Sequence, residues 1–385
     1  MEYVIIAILL VILFATVGLD ITVYIIKKLK VRFYQGRVLN VDKWAKNVYE
    51  ISRKWIIKTP KVEPTDDSQY QIIKLFKSLK KVESIQVWQK ASLYLGLLEY
   101  KDYLSKPEQE KVGQLLDGAT IKQTEICDSD YGLLAYAYMC DNKRSNLIKG
   151  VLDYIDRNLL EDGVVAYKQN VKTVSFVDTL GFVCPLLVKY GLENKEEERI
   201  NQAIKQIEIY LQYGIEKNTK LPFHGYDIKN KALMGICDWA RGAAWLLIAI
   251  MESYQCFLSN NRENLFLRNK IEEYANLLIV LQEKNGGFAW QLTQKHKPKD
   301  SSATAVFGWF LAKAGGIFNE EKFFIAAKKC REFLMAITYT NGVIDYSQGD
   351  TISIGEYSRN FGILPFSQGY ALRLHVAILE NESRF

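Results

Sequence analysis

The chain has 385 residues, enough for one large helical domain or for two or three smaller ones, and 49% of them are hydrophobic. Its 50 basic and 44 acidic residues leave a net charge of +6, spread too evenly for a nucleic-acid surface. No phosphate-binding glycine loop, dinucleotide fingerprint, nucleophile elbow or zinc-ligand spacing occurs, so no cofactor and no metal is expected.

Tyr3 to Leu19 is an uninterrupted apolar run, which resumes after Asp20 and continues through Ile26. Such a length crosses the ~30 Å hydrocarbon core of a bilayer as a helix. A cleaved secretory signal begins with basic residues, and none precedes this run, so residues 1–26 are expected to be a retained transmembrane anchor. Lys27, Lys28, Lys30 and Arg32 follow it, and the positive-inside rule then keeps the body in the cytoplasm. The six cysteines are scattered through apolar segments without paired spacing, as core thiols of a reducing compartment would be. Residues 27–66 read as a basic juxtamembrane stalk, with a helix around Val41 to Ile57, and residues 67–385 as the folded body.

From about Ser68 two helical patterns alternate. Some segments are amphipathic: Glu197 to Tyr213 puts Ile200, Ala203, Ile204, Ile207 and Leu211 on one face. Others are apolar nearly all round, as in Tyr131 to Cys140, Phe176 to Val188, Ala243 to Met251 and Ala303 to Ala314. Between them a short motif recurs, as Asp162-Gly163 leading to Tyr167, Asn285-Gly286-Gly287 leading to Trp290, and Asn341-Gly342 leading to Tyr346. A looser copy stands at His224-Gly225-Tyr226, and the four glycines are 62, 61 and 56 residues apart. A period near 60 is the mark of repeated supersecondary units. Outer and inner helices fall near residues 68 and 84, 107 and 130, 144 and 174, 197 and 239, 264 and 303, and 320 and 366. Six such hairpins close into an all-α, (α/α)6 toroid behind the N-terminal transmembrane helix.

In a toroid the loops after the outer helices and the first turns of the inner ones line one mouth. Asp178 is the single charge in the apolar run after Thr173, and burial penalises an ionised carboxylate unless it caps a backbone or faces a site. Asp130 opens the preceding inner helix in DSDYGLLAYAY, and it is either a helix cap or the second carboxylate of an acid–base pair. Trp239, Arg241 and Trp245 crowd the start of the next inner helix, where a guanidinium between indoles suits a sugar bearing a carboxylate. His224 on the loop before it, and Trp290 and Gln368 further round, complete the candidate substrate wall. The 23 Tyr, 18 Phe and 7 Trp also suit stacking on sugar rings.

Five blocks, in order, resemble the unsaturated glucuronyl and unsaturated rhamnogalacturonyl hydrolases: VDTLGFVCPLLVKYG around Asp178, HGYD at His224–Asp227, WARGAAW at Trp239–Trp245, SSATAVFGWFLAKA at Ser301–Ala314 and SQGYALRL at Ser367–Leu374. The resemblance spans roughly Asp128 to Glu380. It implies a six-hairpin glycosidase with Asp178 as general acid and base, Asp130 as the second carboxylate, and a substrate wall of His224, Trp239, Arg241 and Trp245. The implied reaction is hydration of the C4=C5 double bond of an unsaturated uronic acid at a chain end. The implied partner is an acidic oligosaccharide or polysaccharide. The anchor adds the expectation of a role in capsule or exopolysaccharide biosynthesis, beside polysaccharide-assembly proteins. A glycosidase of saturated chains, another sugar-modifying toroid enzyme and a glycan-binding scaffold subunit are the competing readings.

Overall fold

The computed structural model describes residues 2–60, 87–120, 126–143, 145–294, 296–351 and 353–384. Thirteen helices are described: α1 Glu2–Tyr34, α2 Val41–Ile57, α3 Val87–Tyr100, α4 Lys106–Gly118, α5 Tyr131–Cys140, α6 Asn146–Arg157, α7 Val177–Asn194, α8 Glu197–Tyr213, α9 Ala240–Ser259, α10 Leu265–Leu281, α11 Ser301–Phe318, α12 Glu321–Ala336 and α13 Pro365–Glu382. Helices α3, α5, α7, α9, α11 and α13 are the apolar ones, and each packs on the next until α13 returns to α3. That closed cycle is the inner ring of the toroid. All six inner helices expected from the sequence are there. Five of the six expected outer helices are α4, α6, α8, α10 and α12; the one expected near residue 68 lies outside the described residues.

The two helix classes follow from their sequences. In α6 only Leu147, Val151, Leu152, Tyr154 and Ile155 are buried, one face of the helix, and Ser145 caps its start by accepting from Leu147 N at 3.2 Å. In α9 seventeen of the eighteen positions from Ala240 to Phe257 are buried, all but Gln255, because neighbours surround it on every side. Glycines let the inner helices approach closely. A Cβ on Gly96 of α3 would stand 2.4 Å from the backbone oxygen of Gly369 in α13, and one on Gly132 of α5 would meet Phe182 O at 2.4 Å.

The repeated rim motif is one turn built three times. Gly163, Gly286 and Gly342 have φ of +84°, +84° and +94°, and their amides donate to Leu160 O, Glu283 O and Tyr339 O, each at 2.8 Å. The Asp or Asn before each glycine accepts from the amide two residues on. The looser copy at Gly225 is not this turn: Gly225 lies in a strand, and Lys220, with φ +61°, takes the left-handed position in that loop.

Two small antiparallel sheets decorate the mouth. β1 (Val174–Phe176), β2 (Gly225–Asp227) and β3 (Leu233–Met234) form one in that order, and β4 (Ser347–Gln348) pairs with β5 (Phe361–Gly362) in the other. The rim segments 164–166 and 343–345 contribute only single bridges, Leu159 to Val165 and Thr338 to Ile344.

The stalk reading of residues 27–66 needs correction. α1 continues beyond its apolar stretch to Tyr34, and α2 packs against α3 and α13 over the seam where the ring closes. Trp44, Val48, Tyr49 and Ile56 are buried there, and Trp44 Nε1 donates to Thr338 Oγ1 at 2.9 Å. The charged face of α2 suggested a solvated stalk, but its apolar face belongs to the body. α1 itself has no buried residue, and its 18-residue window reaches a mean hydropathy of 2.9, so it is long and apolar enough to cross a membrane. The six cysteines are free thiols.

Candidate active site

Sheet and helix together fix the central carboxylate. β1 runs without a loop into α7, so Asp178 sits in the first turn of a helix whose next ten residues are all buried. Ser175 pairs with Tyr226 across to β2, and Val177 N donates to His224 O at 3.0 Å, which sets the imidazole beside the carboxylate. His224 Nε2 lies 3.4 Å from Asp178 Oδ2, an oxygen that is buried yet has no hydrogen-bond partner. His224 Nδ1 lies 3.0 Å from Tyr357 Oη, which already accepts from Ile236 N at 2.9 Å. We therefore assign the tyrosine proton to Nδ1 and the imidazole proton to Nε2, facing Asp178. The ring is wedged between Phe176, Trp239 and Tyr357 and is 3% exposed.

Asp130 is not the cap of α5. Its side chain makes no capping bond; instead Asp128 Oδ1 accepts from Asp130 N at 3.1 Å. Burial, then the neighbouring Asp128 carboxylate, push Asp130 well above the usual carboxylate range, against a hydrogen bond with Tyr167, while Asp350 and Asp178 raise it further. Tyr167 is pushed up in turn, first by burial and then by the Asp130, Asp178 and Asp350 carboxylates. Asp130 Oδ1 is buried without a hydrogen-bond partner, so a protonated acid is the form this pocket favours.

These groups meet at a cavity of about 190 Å³. Asp178, His224, Trp239, Arg241 and Trp245 line it together with Tyr167, Lys168 and Asp350. Asp130 joins through Tyr167. The volume lies below the ~300–1,000 Å³ of pockets for drug-sized ligands and suits one sugar ring. Trp245 forms the floor, packed against Trp88, Phe182 and Phe366 at 5.3, 4.6 and 4.9 Å.

Arg241, expected to meet the carboxylate of a sugar, spends its guanidinium on the protein backbone. It is 1% exposed, Nη1 donates to Gln348 O at 2.6 Å and Nη2 to Gly349 O at 2.7 Å, with Asp350 Oδ1 at 4.0 Å. Trp239 Nε1 donates to Gln348 Oε1 at 2.9 Å. The two residues thus clamp the β4–β5 hairpin over the site and swing Asp350 into its wall. Burial raises Asp350 above the usual carboxylate range, although the Arg241 guanidinium lowers it.

Two candidates stand outside the cavity. Gln368 is fully buried: its amide donates to Gly342 O, and its Oε1 accepts from Ile344 N at 3.2 Å, so it braces a rim turn. Trp290 lines a separate depression on the far side of Tyr357, with ring centroids 6.2 Å apart. Asp350, Lys168 and Tyr357 were not anticipated. Tyr167 was visible as the aromatic that ends the first rim motif, but nothing tied it to Asp130. Among the described residues no three His, Cys, Asp or Glu side chains converge as a metal site.

Solved structures share this fold. A possible member of glycoside hydrolase family 105 from Klebsiella pneumoniae matches with a TM-score of 0.71 at 16% identity, over 90% of this chain and 95% of that one. The unsaturated glucuronyl hydrolase from Bacillus sp. GL1, responsible for the degradation of glycosaminoglycan, matches with a TM-score of 0.64 at 16% identity, over 89% and 97%. The unsaturated glucuronyl hydrolase from Streptococcus agalactiae matches with a TM-score of 0.63 at 16% identity, over 89% and 93%. No curated protein sequence matches the chain significantly. The sequence model of Glycosyl Hydrolase Family 88 matches residues 69–371, nearly the whole toroid. The chain therefore belongs to Glycosyl Hydrolase Family 88, and so to the glycoside hydrolases.

Proposed function

We propose that this chain is a membrane-anchored hydrolase of uronate-ended oligosaccharide or polysaccharide, and that it hydrates the C4=C5 double bond of an unsaturated uronyl end. The observation that carries this reading is Asp178, a carboxylate at the head of a buried helix with a buried, unpartnered oxygen, beside a cavity the size of one sugar. A cavity closed at its floor by Trp245 suits a chain end and not the middle of a chain.

In this reading Asp178 gives its proton to C4, water adds at C5, and the proton that water loses returns to Asp178. The C5 hemiketal then opens, C1 is left as a hemiacetal, and its collapse releases the rest of the chain as an alcohol. An ordinary glycosidase instead protonates the leaving oxygen and attacks the anomeric carbon. Asp130, held neutral by its pocket, acts through its hydrogen bond with Tyr167, whose side chain lines the cavity beside the sugar. His224 steadies Asp178, and Trp239 and Trp245 wall the ring. Arg241 organises the hairpin, and the exposed Lys168 at the cavity's edge takes the uronate carboxylate. The apolar stretch of α1, followed within the same helix by four basic residues, supports an anchor with the toroid on the cytoplasmic side, where polysaccharide is assembled.

The test is turnover of unsaturated uronyl disaccharides, followed by the ultraviolet absorbance of the conjugated double bond. Loss of that absorbance with the wild type, and not with Asp178→Asn, is the expected result. Release of sugar from saturated chains with no such change would replace this mechanism with a conventional one. Sugar binding without any turnover would make the protein a scaffold.

A further inference from the structure

α1 does not end in a free linker. Thr340 N donates to Tyr34 O at 2.8 Å, Gln35 bridges to Tyr339 and its Nε2 donates to Ile337 O at 3.0 Å, and Gly36 N donates to Thr338 O at 2.9 Å. Gly36 has φ +66°, and a Cβ there would stand 2.7 Å from Ala336 O, so the junction admits no other residue without strain. The segment these bonds grip, 336–340, is the rim loop after α12, on the mouth side of the toroid. The helix is thus fastened to the face that holds the active site.

Between the end of α1 and that rim lies a cavity of about 730 Å³, larger than the catalytic one. Tyr24, Lys27, Lys28 and Lys30 form one wall, and Tyr346 and Phe361 stand on the other. Asp345 also borders it, but its carboxylate already accepts from Tyr339 Oη and from Tyr346 N, both at 2.8 Å. Three ammonium groups against one engaged carboxylate leave the cavity positive. Its height is set by the helix. From Ile26, which ends the apolar run, to Tyr34 is eight residues, or about 12 Å of helix, so the cavity spans the headgroup zone of a bilayer holding α1. Tyrosines and lysines are the side chains that favour that zone. The β4–β5 hairpin joins the two cavities: Phe361 of β5 faces this one, while Gln348 of β4 leads through Gly349 to Asp350 in the catalytic one.

We propose that this cavity binds the anionic phosphate headgroup of a membrane lipid and so seats the toroid mouth against the bilayer, making a glycan held at the membrane surface the natural substrate. The acyl chains lie along the apolar flank of α1, and the lysines hold the phosphate. The inference rests on α1 being an anchor. Each lysine near an anionic surface is worth about fivefold in affinity, so the three together give about 100-fold.

The experiment uses the full-length chain in vesicles of phosphatidylcholine with one-fifth phosphatidylglycerol, followed by detergent extraction and native mass spectrometry. Retention of phosphatidylglycerol over phosphatidylcholine is expected, reduced at least tenfold in Lys27→Gln/Lys28→Gln/Lys30→Gln. Thr340→Glu, which places a carboxylate on the exposed rim side and leaves the basic flank of the span intact, should reduce it several-fold. Equal retention of the two lipids, or no change in either variant, overturns the proposal. Displacement of the lipid by millimolar inorganic phosphate overturns the lipid source in favour of a free anion. Alkaline carbonate extraction separates the two failures: release from the vesicles breaks the anchor reading, whereas a chain that stays but shows no lipid preference breaks this inference alone.

Discussion

Two clusters of buried charge among the described residues are built in opposite ways. Deep in the ring, Arg373 of α13 is 2% exposed and stands between Glu99 of α3 and Glu252 of α9. Its Nε donates to Glu99 Oε1 at 2.9 Å, Glu252 Oε2 accepts from Tyr136 Oη at 2.9 Å, and the guanidinium lies 4.4 Å over the Trp309 ring. Five inner helices are tied by one cation. At the mouth, Asp130, Asp178 and Asp350 gather, and their buried neighbour Arg241 donates to backbone carbonyls. Oxygens of Asp130 and Asp178 remain buried without a hydrogen-bond partner. In the Arg373 cluster Glu99 Oε2 is unpartnered too, but each carboxylate there meets the guanidinium, whereas Asp130 and Asp178 meet none. The first arrangement holds helices together, and the second is held ready for a group that supplies donors.

The sharpest way to break that comparison is to remove one carboxylate from each kind of cluster and ask what is lost. Asp178→Asn should lower turnover by roughly 10²–10⁴, the usual weight of a general acid–base group, while thermal unfolding moves little. Parallel rate and melting measurements check it. Arg373→Met should do the reverse. Removing one partner of a buried ion cluster costs about 3–5 kcal/mol, so the melting transition falls while KM of the folded fraction holds. If Asp178→Asn unfolded the chain as readily as Arg373→Met, the mouth carboxylate would be a structural one.

Arg241 sits between the two classes, and Arg241→Lys tests which it resembles. A lysine keeps the charge but cannot reach Gln348 O and Gly349 O with a planar fork. The loss of one hydrogen bond from a charged donor is worth about 1.5–3 kcal/mol, so kcat/KM should drop at least about tenfold through a displaced hairpin. Lys168→Gln should instead raise KM for an acidic substrate with kcat nearly kept. Equal KM effects on an uncharged analogue would remove the carboxylate-binding role from Lys168.

What the sequence made legible followed from local pattern. The apolar run around Asp178 announced an inner helix and the oddness of its one charge. The glycines at 163, 286 and 342 announced three turns, because only glycine readily takes the positive φ those turns need. The hidden features depend on distant partners. Arg241 looked like a substrate ligand because the carbonyls it holds lie 107 and 108 residues further along. Asp350 sits after a two-residue strand, too short to show any period. Gln368 looked like a site residue because its amide partners, Gly342 O and Ile344 N, belong to a turn that no periodicity links to α13. The docking of α2 was hidden by composition, since its three lysines and one arginine mask, in a linear reading, the five large apolar residues it buries.

The finest test of the donor-poor mouth is the pH dependence of Asp130. Its folded pKa is raised, by burial first and then by the Asp128 carboxylate, whereas in the unfolded chain it sits near an ordinary ~3.9. Below that value both states hold the proton, and the residue adds nothing to the pH dependence. Above it the unfolded chain ionises while the folded one keeps its proton, so stability is lost as pH rises toward the folded value. Asparagine has the shape and no proton to lose. Because Asp130 makes no capping bond to α5, Asp130→Asn removes little else. The melting temperature of the variant relative to the wild type should therefore climb as pH rises from 4 to 7. A difference that stays flat across that window would mean that Asp130 ionises normally in the folded chain, and the mouth would then carry a full set of charges, as the Arg373 cluster does.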